Sequence, residues 1–203
     1  MEIKRLENDF EKYLFLREYN QKAKMNVPSE YIFECEVYGA FIDGQMLGGF
    51  AFAEGEDMAW PQVLPAGEDF FDVVPLNFCL EINLVWAKGP LHASGINMIK
   101  LWMAITSYAA RVPNIEYITY AVDGNRTSLI KMYQKLALGR IYSGSIPKYP
   151  GRSAIVFYTN SFRCKWANLL CIKDIFQKFK RKPLTLKTKI NAPKPIQIGS
   201  KAS

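Results

Sequence analysis

From Phe78 to Gly144 the spacing of apolar positions changes repeatedly, and each change marks an element. FCLEINLVWA alternates as a strand does, which predicts Leu80, Ile82, Leu84 and Trp86 on one face and Glu81, Asn83 and Val85 on the other. A polar loop, KGPLHASGIN, follows. Met98, Leu101, Trp102, Ile105, Ala109 and Val112 then recur at intervals of three and four, the stripe of a helix. IEYITYAV is a second strand, turned by Asp123-Gly124. Asn125 is placed to cap a second helix with apolar positions at Leu129, Met132, Tyr133 and Leu136, and Gly139 is placed to end it. RIYSG opens another strand. A right-handed crossover predicts that the first two of these strands lie side by side and parallel.

Upstream, MEIKRLE reads as a short strand, and Asn8-Asp-Phe-Glu11 resembles a capping box. A helix is predicted from Asp9 to Lys24, with Phe10, Tyr13, Leu14 and Arg17 at helical spacing, and Ser29 to Glu34 predicts a short second one. VYGAFIDGQMLGGFAFA is a hairpin about Asp43-Gly44, in which Gly48-Gly49 signals a bulge or a close backbone approach. Glu54 to Asn77 is a long acidic connection carrying Trp60, Phe70 and Phe71. Downstream, KYPGR turns into SAIVFYT, a last strand expected to pair with RIYSG. Residues 161–182 are expected to form a basic amphipathic helix, with Phe162, Trp166, Leu169, Leu170, Ile175, Phe176 and Phe179 marking its apolar face. Residues 183–203 are basic, contain proline and are poor in aromatics, so little intrinsic structure is expected there. The chain is thus an α/β (α+β) protein with a mixed central sheet in the order β-α-α-β-β-β-α-β-α-β-β over residues 1–160, followed by the helix and the tail.

Two features of the central unit exceed scaffolding. Glu81 and Asn83 share one face of a central strand, where unpaired burial would cost several kcal/mol. Either they make a structural hydrogen bond or that face lines a site. The run His92-Ala-Ser94-Gly95 leads into a helix, whose first free N–H groups attract anionic phosphate.

Composition narrows the classes. About half of the 203 residues are apolar and about a quarter charged, as in a soluble globular chain with one ordinary domain. No apolar run approaches the ~20 residues of a membrane span, and the charged start MEIKRLENDF is no signal peptide, so a cytoplasmic location is expected. Cys35, Cys79, Cys164 and Cys171 form no CxxC pair and read as reduced thiols, and His92 is the sole histidine, so no metal site is expected. The net charge of +7 is unevenly placed. Met25 to Ala87 holds eleven acids and no Lys or Arg, while Ser161 to Ser203 holds eleven basic residues and one acid, Asp174. The basic end could hold nucleic acid through phosphate contacts. An acidic stretch that lined an acceptor path would favour a cationic amine.

The element order, together with Asn125 and Tyr133-Gln-Lys-Leu-Ala-Leu-Gly139, resembles the GNAT acyltransferase superfamily across residues 1–160. The resemblance implies a V-shaped opening between the two central parallel strands, into which an acyl-CoA, acetyl-CoA for instance, enters. Its pyrophosphate would sit at the start of the helix after the Glu81 strand. The implied cofactor-binding residues are Val85, Trp86, His92, Ser94, Gly95 and Asn125. His92-Ala-Ser94-Gly95-Ile-Asn97 keeps the family's glycine at Gly95 and departs from its pattern at the first and last positions. A narrower resemblance joins Glu81-Ile-Asn83-Leu-Val-Trp86, Asp123, Met132-Tyr133-Gln134 and Tyr142-Ser-Gly144 to the phage Mom-like DNA-modification proteins. The leading expectation is acyl transfer to a small-molecule or macromolecular amine. In it Glu81 is the base, Asn83 or Asp123 orients, and Tyr133 protonates the departing thiolate. The alternatives are Mom-like modification of adenine in DNA and a GNAT-like binding or assembly module without catalysis.

Overall fold

The computed structural model describes residues 1–64 and 74–167. Its elements run β1 (Glu2–Arg5), α1 (Asp9–Ala23), α2 (Ser29–Glu34), β2 (Glu36–Ile42), β3 (Gln45–Glu54), α3 (Ala59–Val63), β4 (Cys79–Ala87), α4 (Gly89–Ala93), α5 (Gly95–Ala109), β5 (Tyr117–Asp123), α6 (Thr127–Leu136), β6 (Gly139–Ser145) and β7 (Ser153–Asn160). The seven strands form one sheet in the order β1-β2-β3-β4-β5-β7-β6. All neighbours are antiparallel except β4 and β5, which are parallel as the crossover rule requires. β7 lies between β5 and β6 and pairs with both.

Two cores flank the sheet. On one face α1, α2 and α3 bury Phe15, Leu16, Ile32, Met58 and Trp60 against Val37, Ala51 and Cys79. On the other, α5 and α6 bury Leu101, Ile105, Ala109 and Tyr133 against Phe50, Phe52, Leu80 and Ile118. The helical stripe of α5 reads as the spacing predicts. That of α1 does not, because Phe10 and Tyr13 are exposed and Phe15 and Leu16 are buried. The cap is correct: Asn8 Oδ1 accepts from the Glu11 N–H at 2.9 Å.

Three local expectations are corrected. Residues 89–93 of the KGPLHASGIN loop are helical, with proline in the first turn, where its missing N–H costs nothing. Asn125 does not cap α6. Arg126 occupies that position, and the Asn125 N–H is held by Asp123 Oδ1 at 2.9 Å. Gly139 does not end α6 either: the helix stops at Leu136 and Gly139 opens β6.

Residues 161–167 are helical. Asn160 Oδ1 accepts from the Arg163 N–H at 2.8 Å, and Cys164 and Ala167 are buried, with Cys164 Sγ donating to the Thr106 carbonyl of α5. Phe162 and Trp166, which the spacing assigns to the packing face, point outward at 66 % and 50 % exposure. The rest of the expected amphipathic helix and the tail lie outside the described residues, as do Phe70 and Phe71.

Candidate active site

The split in the sheet builds the site. β4 and β5 pair only from Cys79↔Tyr117 to Ile82↔Tyr120. Beyond that point β4 stays with β3 and β5 stays with β7, so Asn83–Ala87 and Ala121–Asp123 belong to diverging halves of one sheet. A bulge in β4 accompanies the divergence. Ala51 opposes Asn83 and Gly49 opposes Trp86, so Leu84 and Val85 together face Phe50, with Leu84 at φ 49°. Gly48 and Gly49 permit the close approach on β3. A Cβ on Gly48 would lie 2.6 Å from the Trp86 carbonyl, and one on Gly49 would lie 2.1 Å from the Tyr38 carbonyl.

The extra residue inverts the alternation. Before the bulge Glu81 and Asn83 face α1–α3, while Leu80 and Ile82 face α5–α6. After it Leu84 and Trp86 turn to the α1–α3 face and Val85 and Ala87 to the other. The expected grouping of Leu84 and Trp86 with Leu80 and Ile82, and of Val85 with Glu81, is therefore overturned by one inserted residue.

Glu81 is 2 % exposed. Its carboxylate accepts from the Ala59 N–H at 2.5 Å and from the Trp60 N–H, the free donors at the start of α3, and from the Asn83 amide. Trp60 Nε1 donates to Thr119 Oγ1 at 3.1 Å, directly across from Glu81 on β5. Burial pushes the Glu81 carboxyl from 4.5 up to about 7, against the three hydrogen bonds that lower it. Asn83 Nδ2 donates to the Tyr31 hydroxyl, which burial and then the Glu81 charge push far above its ordinary range. Two buried polar atoms on this stretch, Asn83 Oδ1 and Trp86 Nε1, have no hydrogen-bond partner among the described residues. The Trp86 ring stands edge-on to Phe15 at 5.7 Å and under Lys88, which pairs with Glu18.

Tyr133 lies in the opposite core, its ring 5.0 Å from Tyr120 and 5.7 Å from Trp102, edge-on to both. Glu81 and Tyr133 therefore approach the split from opposite faces of the sheet. Asp123 is not brought to Glu81. It sits four residues beyond Thr119 along β5, about 13 Å at the rise of a strand, and serves the turn before α6. The sequence reading missed Tyr31 and the start of α3. Nothing in their spacing marks them, since Tyr31 reads as an ordinary helix residue and α3 lies inside an acidic connection.

No family model and no curated protein matches the chain. Solved structures do. FeeM, an N-acyl amino acid synthase from uncultured soil microbes, aligns at a TM-score of 0.57 and 12 % identity over 81 % of this chain and 98 % of its own. A point mutant of the spermidine N-acetyltransferase SpeG from Vibrio cholerae aligns at 0.55 and 9 %, over 81 % and 97 %. AAC(6')-Ib in complex with paromomycin and acetyl-CoA aligns at 0.53 and 12 %, over 79 % and 93 %. The fold is the GNAT fold. At these identities the likeness concerns the backbone alone, and the resemblance to Mom-like proteins rests on the sequence motifs alone.

A GNAT fold implies an acyl-CoA, and the residues present can be tested against it. The fifteen-residue α5 begins at Gly95 with Ser94 as its cap; Ser94 Oγ accepts from the Asn97 N–H at 3.4 Å. The His92 and Ser94 N–H groups are used within and around α4, donating to the Lys88 and Pro90 carbonyls. Gly95 and Ile96 keep N–H groups with no acceptor among the described residues, and they head the helix. These two fit an anionic phosphate. Val85 and Trp86 lie on the stretch of β4 released from β5. His92 is exposed at the end of α4, and Asn125 is exposed across the split, beyond β5.

Proposed function

We propose that the protein is an acyl-CoA-dependent N-acyltransferase acting on an amine. The observation that carries this reading is the pairing of a split, bulged β4–β5 junction with a buried carboxylate on the adjoining stretch of β4, held near pH 7. A general base works best when its pKa lies close to the operating pH. Acyl-CoA supplies a thioester carbonyl and a thiolate leaving group. The chain supplies the rest. Glu81 accepts the amine proton, directly or through a water, as the nitrogen bonds to the carbonyl carbon and the carbon–sulfur bond breaks. Asn83 holds the Glu81 carboxylate and offers its unpartnered Oδ1 to an amine N–H. Tyr133, from the other face of the split, donates the proton that the thiolate takes up. Gly95 and Ile96 N–H groups hold the phosphate end.

The similar folds include proteins named for acylating amino acids and spermidine, which supports an amine acceptor as a class. The experiment is a thiol-release assay with acetyl-CoA and a panel of amines on the wild type, Glu81→Gln and Tyr133→Phe. Loss of a general acid or base lowers turnover by roughly 10²–10⁴-fold. Each variant is expected to fall in that range with little change in acetyl-CoA affinity. Wild-type rates in both would remove these residues from the mechanism.

A further inference from the structure

A charge buried as deeply as that of Glu81 depends on what holds it. The titratable groups facing the carboxylate are Tyr19 from α1, Tyr31 from α2, Cys35 just after α2 and Cys79 on β4 itself. Burial pushes the Tyr19 hydroxyl and the Cys35 and Cys79 thiols each up to about 12, and carries Tyr31 beyond its ordinary range, so all four are neutral near pH 7. No Lys or Arg pairs with Glu81 among the described residues. The negative charge therefore rests on hydrogen bonds. They come from the Asn83 amide on the same strand and from the Ala59 and Trp60 N–H groups of α3, the Ala59 bond at 2.5 Å.

α3 spans five residues, too few to persist as a helix unaided. Its start stays on Glu81 because other contacts hold it. Gln62 closes only the local turn, its Nε2 donating to the Glu56 carbonyl at 3.0 Å. Trp60 reaches the sheet. Its side chain is buried, and its Nε1 donates at 3.1 Å to Thr119 Oγ1, which is buried too. Thr119 stands opposite Glu81 in the β4–β5 register. Its own hydroxyl donates to the carbonyl of Leu80, the residue before Glu81, at 3.4 Å. An apolar ring would fill the same space as the indole. The bond from the indole N–H to a buried hydroxyl adds direction, and fixes where along the sheet α3 begins.

We propose that Trp60 and Thr119 are positioning residues for the base: their buried hydrogen bond fastens the start of α3 to β5, so that the Ala59 and Trp60 N–H groups stay on the Glu81 carboxylate as it takes up the amine proton and releases it to solvent. This rests on the acyltransferase reading of the same site and adds how its base is kept charged.

The test uses the full chain with three substitutions. Trp60→Phe keeps an apolar ring without the N–H, Thr119→Val removes the hydroxyl at nearly constant shape, and Thr119→Ser restores it. Each is made with and without Glu81→Gln, and urea melts of each pair from pH 5 to 9 read the pH at which Glu81 ionises. Loosened donors favour the neutral acid, so Trp60→Phe and Thr119→Val are each expected to raise that pH by about half a unit or more. The two shifts should match and should not add in the double variant, and Thr119→Ser should return the wild-type value. The acid limb of kcat for acetyl transfer should move with it, a loss of about three-fold at pH 6 for half a unit. Lower stability at every pH with an unmoved ionisation midpoint would make the pair a structural strut and overturn the proposal. So would shifts that add in the double variant, or failure of both single variants to fold; loss of folding in one leaves the other to decide. The melts need no turnover, so the two readings fail separately. A shifted midpoint in a chain without transferase activity sinks the acyltransferase reading and leaves the fastening, whereas an active chain whose midpoint does not move sinks only the fastening.

Discussion

Glu81→Gln removes the buried carboxylate of the site while keeping its shape. The carboxyl is raised from 4.5 to about 7, chiefly by burial. The folded chain therefore binds this proton more tightly than the unfolded chain. The resulting stability is fully present below about pH 4.5, falls as the pH rises, and is lost once the pH passes about 7. At 1.36 kcal/mol per pH unit the loss amounts to about 3 kcal/mol. Glutamine never ionises and keeps an oxygen for the Ala59 N–H. Urea unfolding followed by tryptophan fluorescence at pH 5, 6, 7 and 8 should show the variant gaining on the wild type by about 2.5 kcal/mol across that range, the rest being lost already by pH 5. Turnover should move the other way, since only the ionised wild type can take a proton. Glu81→Ala should be less stable than Glu81→Gln at every pH, because it strands two buried N–H groups at about 1–3 kcal/mol each. A wild-type-to-Gln difference independent of pH would show that Glu81 ionises as it does in the unfolded chain. The argument for a base poised near neutrality would then fail.

Other outcomes follow from the same contacts. Gly49→Ala should cost at least about 3 kcal/mol in a urea melt, since its φ of 153° suits glycine and the new Cβ would sit 2.1 Å from the Tyr38 carbonyl. Asn20→Ala removes both bonds to Val27 and should cost about 2 kcal/mol in a urea melt. Trp166→Ser should leave stability within about 0.5 kcal/mol because the ring is half exposed. Ala167→Asp, on the buried side of the same helix, should cost several kcal/mol; equal melts for these two would mean the helix packs by the face that the apolar spacing suggests.

Where local spacing decides the structure, the sequence was legible. The order of elements, the Asp43-Gly44 hairpin, the Asn8 cap and the parallel β4–β5 pair all follow from periodicity, turn chemistry and handedness. The buried stripe of α5 does too, because every one of its positions meets the same core. What failed depended on a single inserted residue or on distant partners. The bulge at Leu84–Val85 shifts every later side chain of β4 to the other face, and no local signal announces it beyond the glycine pair on the neighbouring strand. Glu81 and Asn83 were visible as polar residues in an apolar strand. That Glu81 caps α3, twenty-two positions away in sequence, was not. Amphipathic spacing identifies two faces without saying which one packs on this domain: Phe162 and Trp166 stay exposed, while Cys164 and Ala167 are buried and Cys164 reaches the Thr106 carbonyl of α5.

The acyltransferase reading meets its most direct test in the binding of acetyl-CoA to the full chain. A ligand that binds only the folded state adds about 2.7 kcal/mol of stability at 100 times its dissociation constant. The account predicts saturable one-to-one binding by calorimetry, a matching rise in melting temperature, and no loss of either in Glu81→Gln. A flat titration to millimolar acetyl-CoA, with no shift in melting temperature, would contradict it.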